Sequence, residues 1–202
     1  MKVSKAQAAQ NRQDILEAAA RLYREHGLAG VGVAEVTRDA GLTHGGLYRH
    51  FESKDALVRE ACARAFDWSP GLQEDEDQGD GLAARVRAYL SPRHRDNPGE
   101  GCPVAALAAD VARAGGELSA VFAQGAERNI TRFARVIGGL GEDEAPSAAQ
   151  RAEAIATLSA MVGALVLARA TAAADPALSD EILETVRTHL TAPQPGRQAG
   201  KL

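Results

Sequence analysis

Apolar residues recur along this chain at spacings of three and four, and the alternation typical of strands is nearly absent. Such spacing is the periodicity of amphipathic α-helices, so the pattern predicts an all-α fold. Gly27 is expected to end the first helix, because glycine favours the position just past a helix C-terminus. The apolar side of that opening helix consists of Ile15, Leu16, Ala19, Leu22 and Tyr23.

A helix–turn–helix is predicted directly downstream. A short amphipathic helix over residues 33–40 is followed by Gly41, placed where a helix C-terminus needs a left-handed residue. Thr43 can then cap a second helix by accepting from its first free N–H groups. Leu42 before this cap and Leu47 four residues after it match a hydrophobic staple, which sets the angle between the two helices.

The second helix is expected to present a polar face to solvent. With Leu47 and Phe51 turned inward, the outward residues are Thr43, His44, Gly45, Tyr48, Arg49 and His50. Two adjacent glycines in one short helix cost roughly 1 kcal/mol each relative to alanine. Core packing offers no reason for them, whereas close approach of the backbone to DNA does.

A third helix is predicted from Lys54. Ser53 is its expected N-cap, and Lys54 places a long cation where a phosphate can also meet free helix N–H groups. Apolar positions between Leu57 and Ala65 continue this helix into a connecting helix that is expected to end near residues 69–71.

The segment from about Asn11 to Glu60, with AGLTHGGLYRHFESKDAL at its centre, resembles the DNA-binding domain of the TetR family of one-component transcriptional regulators. The family often has a threonine where this chain has Gly32-Val33. The resemblance implies that His44 and Gly45 face base edges, and since base contacts specify sequence, His44 is expected to set sequence choice. It also implies phosphate contacts by four residues: Thr43, Tyr48, His50 and Lys54.

Five further helices are predicted, over about 82–90, 102–114, 117–139, 148–173 and 179–190. An acidic linker at 74–80 and a loop at 93–101 separate the first of them from their neighbours. The predicted organisation is a DNA-binding domain over residues 1–60, a helical regulatory and dimerisation domain over 61–192, and a disordered tail over 193–202.

The last two helices each carry an apolar face among many small residues. In TetR-like proteins the corresponding helices pair with those of a second subunit as a four-helix bundle, which implies a homodimer. Two DNA-binding domains related by a two-fold axis predict a palindromic operator in double-stranded DNA, with half-sites about one helical turn apart or slightly more. The alternative, in which both helices serve only the monomer core, stays open.

Charge and composition support a protein with a small basic footprint. Residues 1–60 hold nine basic against eight acidic residues, whereas residues 61–202 hold 14 against 19. The N-terminal segment has no apolar core that could serve as a signal peptide, and no apolar run of about 18 residues is evident, so we expect a cytoplasmic protein without a membrane partner. The two cysteines form no CxxC pair, which argues against a zinc site, and no cofactor is predicted.

The signal that the regulatory domain senses is less defined. Few aromatic residues lie in it, so a large stacking pocket for planar molecules is not evident, and the sequence suits an aliphatic or small effector at least as well; the small-molecule effector itself is unknown. Arg128, Arg132 and Arg135 share a helix face that suits either an anion or solvent.

A second possible sensor is Cys102, at a predicted helix start. The dipole there and the basic residues at 93–95 predict a lowered thiol pKa, and the segment from Gly101 is similar to that of TetR-type repressors that sense electrophiles or oxidants. The alternative is a residue that merely begins the helix. Cys62 is predicted to be a core residue.

Together these patterns predict a dimeric TetR-type regulator, most simply a repressor released from a palindromic operator by a ligand or by modification of Cys102. An enzyme on an all-α scaffold is a second hypothesis, but no catalytic constellation accompanies the histidines. A third is an architectural DNA-binding protein without an effector.

Overall fold

In a computed structural model, residues 4–42, 44–67, 81–141 and 143–192 are described. Within those ranges the chain forms helices joined by turns and contains no strand, which confirms the predicted all-α fold. The α-helices are α1 (Lys5–His26), α2 (Val33–Asp39), α3 (Lys54–Ala65), α4 (Leu82–Tyr89), α5 (Pro92–Asp96), α6 (Pro103–Ala114), α7 (Gly116–Gly138), α8 (Ala148–Thr171) and α9 (Pro176–Thr191). Two 3₁₀ helices, His44–Arg49 and Pro98–Glu100, complete the described elements.

Local capping explains where the long helices begin. The Ser4 side chain accepts from the backbone of Gln7 at the start of α1. Ser147 and Gln150 form a reciprocal capping box at α8, and the Asp175 side chain accepts from Leu178 at α9. Each cap satisfies an N–H group that has no partner inside its helix.

Two sequence predictions need correction. The predicted loop over 93–101 is largely helical, because Pro92 starts α5, with the Ser91 hydroxyl accepting from the backbone of His94, and 98–100 form a 3₁₀ turn. Helix α3 ends at Ala65 instead of near 69–71, because its last turn tightens: the N–H groups of Phe66 and Asp67 donate to carbonyls only three residues back. The acidic linker at 74–80 and the tail over 193–202 lie outside the described residues.

The chain divides into two compact units. The first comprises the described residues up to 67 together with Asn97–Gly125, and the second comprises the described residues of 69–96 and 126–202. The predicted functional domains, with their boundary at 60/61, stay a prediction.

The core of the first unit surrounds α1, whose apolar side is buried together with residues of α2, α3, α6 and the start of α7. Tyr23 and Ile15 are among its largest fully buried side chains. The ring of Phe66 packs edge-on against Phe122, with ring centroids 5.2 Å apart. A Cβ at position 125 would lie 2.3 Å from the Phe66 ring, so a glycine is required there.

Polar contacts join α1 to the segment that follows α5 in sequence. The backbone N–H of Leu28 donates to Asp110 of α6 over 2.9 Å, and Arg24 Nε donates to the carbonyl of Gly99 over 2.8 Å. The first unit therefore combines the helix–turn–helix with residues 97–125 of the predicted regulatory domain.

In the second unit α8 packs against α9, and α4 and α5 pack against α9 and α8, respectively. Arg95 of α5 pairs with Asp180 of α9 over 2.6 Å and donates to the Ser179 hydroxyl over 2.9 Å. That hydroxyl in turn donates to the Ala168 carbonyl of α8, so a polar network ties three helices together.

Helix α8 is unusually apolar. A window of 18 residues in it has a mean hydropathy of 1.7 with 33% of the window buried, so by length and composition this helix is able to cross a membrane. Length and composition alone do not distinguish a membrane span from a helix that packs inside a helical protein, and α8 packs against α9.

Candidate nucleic-acid interface

The turn after α2 has the predicted geometry. Val36 and Thr37 of α2 are buried, with the Thr37 hydroxyl donating to the Val33 carbonyl. Gly41 has a φ of +69°, the left-handed conformation that glycine adopts without strain. The N–H of Leu42 then donates to the Thr37 carbonyl over 2.8 Å, which closes the helix end.

The element after the turn is a 3₁₀ helix, His44–Arg49, rather than the predicted α-helix. Two adjacent glycines weaken α-helical propensity, and a tighter helix of six residues joins the turn to the next loop. Leu47 is 0% and Phe51 3% exposed, so their inward orientation is confirmed. Thr43 lies outside the described residues, and so do the side chain of His44 and the surroundings of Gly45.

The outward face of this helix carries an aromatic residue and a cation. Tyr48 is 59% exposed, the most exposed large apolar side chain of the described residues, Arg49 is exposed and His50 is half-buried. A Cβ added at Gly46 meets nothing within 4 Å, so protein packing does not require a glycine there. Gly46 therefore leaves open space on the same short helix as the exposed side chains of Tyr48 and Arg49, and these three residues are called the strip.

Helix α3 begins as predicted, since the Ser53 hydroxyl accepts from the backbone of Ala56 over 3.0 Å. The Lys54 ammonium donates to the Val31 carbonyl over 3.1 Å, a contact the sequence did not suggest. Lys54 therefore holds the loop before α2 in this structure, and its phosphate contact stays a prediction.

Two arginines of α1 support this surface and were missed from the sequence. Arg12 lies 4.7 Å from the centre of the Phe51 ring and pairs with Glu60, while Arg21 pairs with Asp39 of α2 over 2.5 Å. Their partners are distant in sequence, so only the fold identifies them.

Both cysteines are buried in the first unit. Cys102 is the N-cap residue of α6 and is 4% exposed, and Cys62 is 1% exposed. Burial raises the pKa of the Cys62 thiol to about 11, which disfavours its reactive thiolate and agrees with a core role.

The cation beside Cys102 is Arg24 of α1. Burial lowers the pKa of Arg24, and an electrostatic interaction with Cys102 opposes that shift. The basic residues predicted to precede Cys102 as a loop belong to α5 and are engaged in the second unit. There His94 Nδ1–H donates to the Tyr89 carbonyl over 2.8 Å, and Arg95 pairs with Asp96 and Asp180.

Known proteins are similar to this chain both in the sequence of the helix–turn–helix segment and in fold. Residues 15–61 match the family model for bacterial regulatory proteins of the TetR family. The HTH-type transcriptional repressor KstR2 of Mycolicibacterium smegmatis is 35% identical over 63 residues, which are 31% of each chain.

Two solved structures have a similar fold. The reduced form of NemR from E. coli is 20% identical, with a TM-score of 0.66 over 90% of this chain and 95% of that one. A TetR transcriptional regulator from Chloroflexus aurantiacus J-10-FL is 23% identical, with a TM-score of 0.68 over 92% and 94%.

The fold and the turn geometry define an all-α protein with an N-terminal helix–turn–helix. The N-terminal segment over residues 15–61 is that of the TetR family of bacterial regulatory proteins. The chain spans between about a quarter and about half of the length of the curated relatives it matches.

Proposed function

We propose that this protein is a DNA-binding transcriptional repressor that acts in the cytoplasm as a homodimer on a palindromic operator. It does so without catalysing a reaction. The observation that carries the proposal is the surface formed by exposed Tyr48 and Arg49 with the open space at Gly46, which lies inside the segment that matches the family model. Repression, rather than activation, is supported by relatives whose names include repressor.

The proposed contacts follow the geometry of the strip. Tyr48 and His50, with Thr43 and Lys54, contact phosphates, and His44 with Gly45 faces base edges. Arg49 adds a cation to the same surface. The open space at Gly46 is where the DNA backbone approaches the protein, since a side chain there is excluded by nothing in the protein itself.

Homodimerisation is supported by apolar surface on the last two helices. Ile155, Val166 and Leu167 of α8 and Leu178 of α9 are between 41% and 57% exposed. A second copy of the same face would remove these side chains from water and place two helix–turn–helix segments on one two-fold axis.

The test is a fluorescence-anisotropy titration of the full chain on the DNA that flanks its own gene. We expect tight binding that weakens as salt increases, because phosphate contacts release counterions. Gly46→Ala should weaken DNA binding without destabilising the fold, whereas Gly141→Ala, at a position where an added Cβ likewise meets nothing within 4 Å, should leave it unchanged. Arg49→Ala should weaken binding, whereas Arg113→Ala, 71% exposed on α6, should leave it unchanged. Equal affinities of Gly46→Ala, Arg49→Ala and wild type would contradict the proposed surface.

Two further variants separate positioning from specificity. His44→Ala should change the preferred operator sequence, and Lys54→Ala should weaken binding to all sequences while lowering the slope of affinity against salt. An unchanged motif for His44→Ala in a random-sequence selection would refute the first assignment.

Release from DNA occurs either by a noncovalent ligand or by covalent modification of Cys102. The guanidinium of Arg24 interacts electrostatically with Cys102, while the 4% exposure of Cys102 slows its reaction with an electrophile. A mild thiol-reactive electrophile should release wild type and Cys62→Ser from DNA but not Cys102→Ser. Equal release of all three would exclude Cys102 as the sensor, and no release would leave the ligand as the signal.

A further inference from the structure

A cavity of about 860 Å³ lies in the second unit, beside α4 and the C-terminal half of α7. Its volume is within the usual range for sites that hold small molecules. Arg128, Arg132 and Arg135 of α7 line it, at a spacing that places them on one helix face, and Arg85 of α4 also lines it. Guanidinium groups that line one cavity indicate a binding site for an anion more specifically than a shared helix face, which is all that the sequence pattern predicts.

Among the described residues that line this cavity, the acidic one is Glu127, and it is already paired. Both carboxylate oxygens of Glu127 accept from Arg151, each over 2.6 Å, and the Thr131 hydroxyl donates to one of them over 3.3 Å. The hydrogen bond from Arg151 keeps the pKa of Glu127 below its usual value, so this carboxylate remains paired. Glu127 is therefore engaged by Arg151 rather than by Arg132 or Arg135 of α7.

The remaining wall orients one arginine and adds apolar surface. Arg135 Nε donates to the Glu144 carbonyl over 3.2 Å, which fixes the direction of its guanidinium. Val136 and Leu140 line the cavity next to it. Guanidinium groups bind carboxylate and phosphate oxygens in pairs, and the apolar residues suit a hydrocarbon part of the same ligand.

We propose that this cavity binds a small organic molecule with at least two anionic oxygen groups, carboxylate or phosphate, attached to an apolar part. This molecule is the effector of the proposed repressor, so the regulatory part of the inference rests on the proposed function. Binding of the molecule does not rest on the proposed function, since the described residues that line the cavity all belong to the second unit.

The test is a calorimetric titration of the full chain at constant ionic strength with inorganic pyrophosphate, citrate and acetate as probes. We expect saturable binding of pyrophosphate or citrate and none of acetate, and the stronger of the two probes identifies phosphate or carboxylate as the preferred group. Arg132→Gln, at an exposed position, should weaken binding about tenfold or more. Arg87→Gln, an exposed position on α4 outside the cavity, should not.

Equal binding by Arg132→Gln and wild type, or the absence of saturable binding, would overturn the site. A second measurement adds the bound probe to the complex with DNA. Saturable binding that leaves DNA affinity unchanged would overturn the effector role while keeping the anion site. If the protein fails to bind DNA at all, the proposed function fails, and the calorimetric result still decides the cavity.

Discussion

The helix–turn–helix in the first unit and the helix pair α8–α9 in the second differ in where they place their large apolar side chains. Around the turn, Leu47 and Phe51 are almost completely buried, and Tyr48 is the exposed exception. On α8, by contrast, Val166 and Leu167 are 43% and 57% exposed. The first region buries its own apolar residues, whereas the second leaves apolar surface exposed to solvent, which agrees with the proposed homodimer.

This difference teaches that the two regions differ in what their proposed functions require. The proposed DNA-binding surface is formed by one copy of the chain, because its caps and turn are local. The proposed dimer face on α8 and α9 requires a second copy, and the proposed anion site requires a ligand. Substitutions of buried apolar residues should therefore act on folding in the first region, and substitutions of exposed apolar residues should act on assembly in the second.

The largest expected effect is on the first core. Leu47→Ala should lower the free energy of unfolding by roughly 3 kcal/mol, because it removes a fully buried side chain and leaves a cavity. Urea titration at low protein concentration measures the change. Leu167→Ala is the matched control and should have little effect on the dilute chain, so equal losses would contradict the comparison.

The second unit should be sensitive to acid through His94. Burial lowers its pKa to about 4 from the ordinary 6.5, so the unfolded chain takes up a proton at higher pH than the folded one. The stability that depends on neutral His94 is fully present above pH 6.5 and is lost as the pH falls towards 4. The free energy of unfolding should decrease by about 3 kcal/mol in total over this range. Urea titrations across this range should show a shallower pH dependence for His94→Gln, and an identical slope would contradict the assignment.

Assembly should depend on the exposed face of α8. Leu167→Glu places a charge on that face and should shift the protein from dimer to monomer in sedimentation equilibrium. Because one monomer holds only one half-site, affinity for a palindromic duplex should fall roughly 100-fold. Ala88→Glu adds the same charge at an exposed position of α4 and should remain dimeric. If Leu167→Glu stays dimeric, another surface forms the interface.

The smallest effects are expected at the helix caps, where the two units should behave alike. Ser53→Ala and Ser147→Ala should each lower the free energy of unfolding by about 1 kcal/mol, because each hydroxyl satisfies one N–H at a helix start. Thermal unfolding followed by circular dichroism measures both. A loss at Ser53 several times larger would show that this cap also holds the turn geometry.

The features predicted correctly from the sequence are those that short spacings encode. Gly41 in a left-handed turn, Ser53 as a cap, and Leu47 with Phe51 facing inward each depend on residues within a few positions of one another. The bounds of α6 and α7 follow in the same way from Pro103 and the apolar periodicity of each helix.

The features that were missed depend on contacts between distant segments. Lys54 donates to Val31, and Arg24 of α1 lies near Cys102, pairings that no local pattern contains. Adjacency in sequence predicts that the basic residues at 93–95 lie beside Cys102, but Arg95 pairs with Asp180 of α9. Helix α5 was missed because five residues are too few for a periodic signal.

The most direct test of the central claim is a selection of the full chain against a pool of random double-stranded DNA, followed by sequencing of the bound fraction. The account predicts enrichment of an inverted repeat with half-sites about one helical turn apart, and loss of that enrichment in Arg49→Ala. A pool that remains random after repeated rounds, or a motif that Arg49→Ala enriches as well as wild type, would contradict it.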